Sequence, residues 1–536
     1  MGWPIFLNDI LVSAVALSSG FGVARIRMRN THSKSRLLSW PSMQAAKGRS
    51  IAFFIIGASF ATTLLIVWVL RAFPNSADEY GYIYGAETLL AGRLWNPLPL
   101  HHEFFSFLHI FEKNGKWVSQ YPPGWSIILA AGRFLYLPYW LVCPIVGAIL
   151  LFTVWKLGQR QSGSLGGILA LSLVGFSPFF LFNAASYFNV VPTATAGALF
   201  CWAMLEFFDR PNVSNALCAG ATLGMVGLIR NYDAIVFGVP FAIQFLRVAR
   251  RQHYELAPLI MAGGLPFVAV LLLSQRAITG SALTPVATWG YPKYRLGLYA
   301  RDYDGHQTTP LFQLKIALYN LRDLGRWTSS ILLIGYFAAF LWKSITRQLS
   351  LTDFIFPWVV IAYLLYQGFL GGNRYGPRMY LIGYPFLVLT VVSVLTPLLE
   401  NKTAPKRVAF ATNILLIGHF VTCVVGAIFL GHFFRGVVNA RMDMYDRVRA
   451  QSLHNAVVIV HSGGGAYLPF TPKDLTRNGI AVDDQDVIYV CDIPGRMSEL
   501  NQIFPDRAFY VYSRKTDASD GVLAPLGIGQ SAAVRR

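Results

Sequence analysis

The sequence predicts an all-α membrane protein that crosses the bilayer many times and ends in a small C-terminal α/β domain. Hydrophobic residues make up 54% and charged residues 13% of the 536 residues, and the mean hydropathy is +0.46. Soluble domains have about 25% charged residues. Apolar stretches recur from Ile51 to Leu430, and a helix needs about 20 residues to cross the hydrocarbon core. Because backbone groups in lipid must bond to one another locally, these spans are predicted to be helices.

Basic residues give the predicted spans an orientation. The net charge of +19 could indicate nucleic acid binding, but Lys and Arg also accumulate in the cytoplasmic loops of membrane proteins. A basic segment from Arg25 to Arg49 precedes the span that begins at Ile51, so this side is predicted to be cytoplasmic. The later inner loops share further basic residues, which are Lys156, Arg160, Arg210, Arg247, Arg250, Arg251, Lys343, Arg347, Lys402, Lys406 and Arg407. The first loop and everything after Leu430 should therefore lie outside the cytoplasm, and no nucleic acid partner is expected.

The apolar runs between these loops predict the spans themselves. Residues 124–157 should make one net crossing, with a re-entrant piece around Pro138. The other predicted spans are 51–70, 164–183, 187–208, 213–229, 233–249, 257–275, 328–343, 354–371, 380–397 and 408–431. Residues 5–23 are interpreted as an extra anchor with its N-terminus outside. The expected total is about 11 to 13 transmembrane helices.

Three parts of the chain follow from this pattern. They are the anchor and basic segment 1–50, the transmembrane domain 51–431 with outer loops 72–123 and 279–326, and the extracytoplasmic domain 432–536. The last part has the composition of a soluble domain. Its predicted strands and helix are Ala456–Val460, Val487–Val490, Ala508–Tyr512 and Met497–Ile503.

Asp78 and Glu79 are adjacent carboxylates in the first outer loop, just beyond the first strong span. A helix is predicted from this pair to Gly92, and helical spacing puts Asp78 and Tyr82 on one face. Ser76 and Glu79 also have the spacing of a capping box, which stabilises a helix start. Capping explains Glu79 better than it explains Asp78. A carboxylate at the mouth of a membrane bundle can accept a proton while an apolar substrate stays in lipid.

Two arginines indicate an anion site near the end of the bundle. Arg374 and Arg378 belong to the predicted outer turn Gly371-Gly372-Asn373-Arg374-Tyr375-Gly376-Pro377-Arg378. Guanidinium groups match phosphate oxygens in pairs, and a Gly-rich backbone allows a close approach. The alternative is that both arginines only anchor the helix ends in the interface. Arg230 is either a third phosphate ligand or the partner of Asp233, and the salt bridge is favoured.

Three motifs resemble the GT-C superfamily of integral-membrane glycosyltransferases. They are Asp78-Glu79-x-x-Tyr82, Tyr121-Pro122-Pro123-Gly124 and the turn from Gly371 to Arg378. The bacterial protein O-mannosyltransferases and the lipid A aminoarabinose transferases are the members that it resembles most. The resemblance covers roughly residues 51–431 and implies transfer of a sugar from a polyprenyl phosphate, with inversion and with Asp78 as the base. It implies a multi-pass protein of a bacterial inner membrane with an extracytoplasmic active site.

The expected partners are a polyprenyl-phosphate sugar donor, a glycan, lipid or protein acceptor, and membrane lipids. Asp78 would take the proton of the acceptor hydroxyl, and Arg374 and Arg378, with Arg230, would stabilise the leaving phosphate. Glu79, Tyr82, Tyr121 and Tyr375 are further candidate substrate-binding residues.

No cofactor is expected, because two or three arginines can replace the divalent ion that a diphosphate often needs. A solvated turn is favoured over a metal site at Asp302, Asp304 and His306. A multi-span transporter or flippase of a lipid-linked or anionic substrate is the alternative function.

Overall fold

The computed structural model describes residues 41–291, 308–366, 374–400, 406–462, 472–514 and 521–526. Helices dominate it as far as residue 450, so the predicted helical membrane fold is confirmed. The predicted anchor at 5–23, the acidic turn at 302–306 and the glycines Gly371 and Gly372 lie outside the described residues.

The first half of the bundle contains nine helices in the part of the chain described. They are α1 Pro41–Val69, α2 Ala77–Leu90, α3 Pro123–Phe134, α4 Tyr139–Gly175, α5 Pro178–Ala184, α6 Val190–Asp209, α7 Val213–Ile229, α8 Asn231–Val248 and α9 Arg251–Thr279. A break at Pro138 separates α3 from α4, and the re-entrant piece around this residue stays a prediction. Helix α4 changes direction at Gly163, where φ is 71°, just before the predicted span 164–183. This span is divided, because α4 ends at Gly175 and α5 begins after Ser177.

The second half continues with α10 Val286–Gly290, α11 Pro310–Thr328, α12 Ser330–Ile345, α13 Leu351–Leu365, α14 Tyr384–Glu400 and α15 Lys406–Ala450. By length and composition, five helices in the described residues can cross a membrane, and the pair α11 and α12, bent by 118°, adds a sixth. Helices α7, α13 and α14 are apolar but shorter. The higher number of crossings stays a prediction.

The first outer loop contains a small sheet that the sequence did not predict. Strands β1 Asn96–Pro97, β2 Ile110–Lys113 and β3 Lys116–Ser119 form an antiparallel sheet in the order β1-β3-β2. The β2–β3 turn has positive φ at Asn114 and Gly115, which suits a tight hairpin. The sheet packs on α2 and positions the chain between Ser119 and α3.

The C-terminal part is an α/β unit, as predicted. Its elements are β4 Ala456–Ser462, α16 Pro472–Leu475, β5 Val487–Cys491, α17 Met497–Ile503, β6 Ala508–Arg514 and β7 Val522–Pro525. The sheet order is β5-β4-β6-β7, with parallel pairs except for β6 and β7. Helix α15 crosses the predicted boundary at residue 431 and ends at Ala450. Strand β7 was not predicted.

Side chains from this unit pack against the first outer loop. Phe105 and Phe504 are in edge contact, and both belong to one buried cluster with Trp117, Val457 and Val490. A buried ion pair joins α15 to α16: Arg441 Nη1 lies 2.5 Å from Asp474 Oδ2, with side-chain exposures of 1% and 6%. The C-terminal unit is therefore fixed to the loop that carries α2.

Candidate active site

Helix α2 presents Asp78 in its first turn. Ser76 is the N-cap, and its hydroxyl accepts a hydrogen bond from the Glu79 backbone N–H at 3.2 Å. This cap fixes where the helix begins, as the sequence predicted. The Asp78 side chain is 24% exposed, whereas that of Glu79 is buried. The two adjacent carboxylates consequently have different surroundings.

Asp78 is surrounded by donors from three other segments. Arg378 Nη2 donates to Asp78 Oδ2 at 3.2 Å, and the Tyr121 hydroxyl donates to Oδ1. His109 Nε2 lies 3.7 Å from Oδ1. Burial raises the pKa of Asp78, but the charges of Arg378 and His109 and the Tyr121 hydrogen bond outweigh it and lower the pKa to about 2. The carboxylate is therefore ionised at neutral pH.

The turn before Arg378 depends on unusual backbone conformations. Tyr375 and Gly376 have positive φ values of 62° and 84°. A Cβ on Gly376 would lie 2.8 Å from the Trp327 ring, so glycine is required on both grounds. The turn leads into a 3-10 helix, Arg378–Ile382. This turn places the Arg378 guanidinium beside Asp78. The Phe188 ring packs against the guanidinium, with its centroid 3.8 Å from Arg378 Cζ.

Tyr121 and His109 complete the contacts of Asp78. Tyr121 follows β3, and its ring centroid lies 4.2 Å from that of Tyr82, which is 3% exposed. His109 has a left-handed backbone with φ of 67°, and its Nδ1 lies 2.8 Å from Gln120 Nε2. His109 was missed in the sequence. Its placement depends on the outer sheet, and the residues around it gave no sign of that sheet.

Glu79 is directed away from Asp78. Its Oε1 accepts a hydrogen bond from the Tyr187 backbone N–H at 3.0 Å. Burial raises the pKa of Glu79, although the Tyr187 hydrogen bond and the charges of Arg374 and Arg378 oppose this. Glu79 therefore joins α2 to the turn before α6 instead of completing a capping box. Its position beside Tyr187 indicates a supporting role.

The other candidate residues lie at different distances from Asp78. Tyr375 is 1% exposed, and its hydroxyl accepts a hydrogen bond from Asn75 Nδ2 at 3.3 Å, so it lies behind the site. Its role in substrate binding stays a prediction that this burial does not favour. Arg374 lies on the same turn, near enough for its charge to act on Glu79.

Arg230 forms the favoured salt bridge. Its Nε lies 3.1 Å from Asp233 Oδ2, and its Nη2 donates to the Tyr363 hydroxyl at 3.0 Å. The Arg230 side chain is 12% exposed and also contacts Met379, which directly follows Arg378. Arg230 therefore lies at the edge of the site, and phosphate binding by it stays a prediction. Among the residues described, no group of three His, Cys, Asp or Glu side chains could hold a metal ion.

A cleft opens beside Tyr121. Its walls come from α2, β3, the start of α3, the C-terminal half of α9 and the start of α10. Tyr121 contributes to the lining while its hydroxyl contacts Asp78. Tyr121 therefore links the cleft to the Asp78 carboxylate.

Comparison with known proteins identifies the fold. No protein-family model and no curated protein matches the chain. The apo oligosaccharyltransferase of Archaeoglobus fulgidus superposes with a TM-score of 0.50 at 10% identity and covers 78% of this chain. This chain spans 63% of the length of that protein. ArnT from Cupriavidus metallidurans bound to undecaprenyl phosphate superposes at 0.49 and 11% identity, with 91% of this chain and 99% of ArnT covered.

The chain is thus a polytopic membrane protein with a charged site where α2, the segment between α2 and α3, and the turn before α14 meet. It has the GT-C fold, the fold that it shares with the oligosaccharyltransferase. The fold that the three motifs implied is therefore confirmed. The identity of 10% limits the comparison to the fold.

Replacement of Glu79 tests its supporting position. Glu79→Ala leaves the Tyr187 N–H buried without an acceptor, so we expect a loss of about 1–3 kcal/mol in the free energy of unfolding. Glu79→Gln keeps the acceptor and should stay close to wild type. Because the pKa of Glu79 is raised in the folded state, wild-type stability should fall relative to Glu79→Gln as pH rises above the unfolded pKa. Thermal unfolding in detergent at acidic and neutral pH measures both effects. Equal stability of the Ala and Gln variants would contradict this role.

Proposed function

We propose that this protein is a membrane glycosyltransferase that moves a sugar from a polyprenyl-phosphate donor to an acceptor hydroxyl. Transfer proceeds with inversion, and Asp78 is the general base. One observation carries the proposal: a carboxylate, a guanidinium and a phenol from distant segments meet in the outer loops beside an open cleft. The shared fold with an oligosaccharyltransferase supports sugar transfer as the reaction class.

The proposed reaction is a single displacement at the anomeric carbon. The acceptor oxygen forms a bond to C1 while its proton passes to Asp78. The bond from C1 to the phosphate oxygen breaks, and the lipid phosphate leaves with the electron pair. Arg378 stabilises the charge that develops on this phosphate, with Arg374 on the same turn as a second cation. Two fixed cations suit a monophosphate leaving group without a divalent metal ion.

Arg378 has two successive partners in this mechanism. Before the donor binds, its guanidinium is paired with Asp78 and helps to hold the pKa of that carboxyl at about 2. A carboxylate with so low a pKa is a weak base. A bound phosphate competes for the same guanidinium, and burial then raises the pKa of Asp78 with less opposition. Donor binding thereby makes Asp78 a better proton acceptor.

Asp78→Asn is expected to lower the rate of transfer by about 10²-fold or more, because the amide cannot accept the proton. The assay uses purified protein, a labelled polyprenyl-phosphate sugar panel and a chelator, and it measures consumption of each donor. Glu87→Gln is the matched control, since Glu87 lies on the same helix and contacts Tyr139. Near-normal turnover by Asp78→Asn would rule out this residue as the base.

Arg378→Ala should weaken donor use more than Arg378→Lys, because lysine keeps the charge but loses the planar fork. Losing a charge-assisted hydrogen bond costs about 1.5–3 kcal/mol, which corresponds to about 10- to 150-fold in donor KM. The Ala variant should also lose activity at a higher pH on the acid side, since the pKa of Asp78 rises without Arg378. Arg93→Ala, an exposed arginine of the same outer region, is the control. An unchanged donor KM in Arg378→Ala would place the phosphate elsewhere.

The site is proposed to face the extracytoplasmic side of a bacterial inner membrane. A reporter that works only outside the cytoplasm should be active when fused after Leu526, because the C-terminal unit packs on the loop of α2. The same reporter inserted at Gln348, between α12 and α13, should be silent. The inverse pattern would overturn this placement.

A further inference from the structure

One face of α9 is unlike the rest of that helix. An apolar stretch of 18 residues in this helix contains no buried residue. Leu273, for example, is 65% exposed. Ser274 and Gln275, in contrast, are 5% and 6% exposed. Together with Leu271 and Ile278 they have the spacing of a single helix face, and all four line the cleft beside Tyr121. A helix that otherwise suits lipid therefore presents a hydroxyl and an amide to this cleft.

The opposite wall supplies further polar groups. Ser119 is 8% exposed and lines the cleft, and its hydroxyl is without a hydrogen-bond partner among the described residues. The side-chain carbonyl of Asn231, also in the lining, is likewise buried and without a partner there. A buried polar group without a hydrogen bond costs free energy. The hydroxyls of a ligand could supply partners for the Ser119 hydroxyl and the Asn231 carbonyl. Val118 and Pro285 add apolar surface to the lining of the cleft.

This combination matches the surface of a sugar ring. A ring packs its C–H face on aliphatic side chains and bonds its hydroxyls to amides and hydroxyls. An ionised substituent would lose its hydration there against neutral groups, which is unfavourable.

The position of the cleft relative to Asp78 selects between donor and acceptor. Arg378 contacts Oδ2, whereas Tyr121, which lines the cleft, contacts Oδ1. With the leaving phosphate on the Arg378 side, the attacking hydroxyl of an inverting displacement approaches from the other side. The cleft adjoins Tyr121, the partner of Oδ1, and is therefore suited to hold the attacking hydroxyl.

We propose that this cleft is the acceptor subsite and that it binds an uncharged sugar residue through its hydroxyls. The proposal rests on the proposed function, which it extends by naming the class of acceptor. Ser274 and Gln275 of α9 and Ser119 of β3 are its recognition residues.

The test uses the full-length protein and two probes, butyl β-glucoside and butyl β-glucuronide, which differ in one carboxylate. The glucoside should bind at least about 10-fold more tightly than the glucuronide. Ser274→Phe fills the cleft and should weaken glucoside binding by about 10-fold or more. Leu273→Phe, on the exposed face of the same helix, should have no effect. Gln275→Leu, a variant of similar volume, should weaken binding by about 10-fold through loss of a hydrogen bond.

Donor binding separates the two proposals. Ser274→Phe and Gln275→Leu should bind a labelled polyprenyl-phosphate sugar as tightly as the wild type. A wild-type protein that binds none of the polyprenyl-phosphate sugars would refute the proposed function, whereas glucoside binding would still test whether the cleft binds a sugar. Equal binding of the two probes, unchanged glucoside binding in both variants, or weakened donor binding in either variant would each overturn the acceptor assignment.

Discussion

The ion pair between Asp78 and Arg378 is the interaction on which the rest of the site depends. It joins residues 300 positions apart, one in the first outer loop and the other just before α14. A buried charge that loses its partner destabilises the protein, so the backbone segments that carry Asp78 and Arg378 must both be held in fixed positions. The Ser76 cap does this for α2, and the Tyr375–Gly376 turn does it for Arg378. The outer sheet then brings Tyr121 to the second carboxylate oxygen.

The C-terminal unit also helps to hold the segments around Asp78 in place, through its residues 472–478. Its Thr476 hydroxyl donates to the Ser106 carbonyl, and its Lys473 carbonyl accepts from the Leu108 N–H, next to His109. The Arg477 guanidinium donates to the Pro74 carbonyl at 2.6 Å, before the start of α2. The unit thus contacts both the segment that precedes Asp78 and the segment that carries His109. These contacts add to those that the outer sheet and Glu79 make.

The sequence predicted local features better than distant contacts. Ser76 gave the start of α2 because capping involves residues three apart, and short runs of β-branched and aromatic residues gave β4, β5 and β6. Strand β1 has two residues and is defined by its partner, so its sequence held no periodic signal. The long α15 ran past the predicted end because a helix does not stop where its surroundings change from lipid to water. His109 could not be found, since its contact with Asp78 arises only after the outer sheet has folded.

The two oxygens of Asp78 give the proposed reaction its direction. An inverting displacement needs the nucleophile and the leaving group on opposite faces of C1, and a base that touches the nucleophile. Arg378 contacts one oxygen of the carboxylate, and Tyr121, which lines the cleft, contacts the other. If Asp78 had its cation and its phenol on the same oxygen, the geometry would not distinguish the two substrates. Because the partners are divided, the carboxylate can release Arg378 to the phosphate and still keep the Tyr121 hydrogen bond that orients it toward the acceptor.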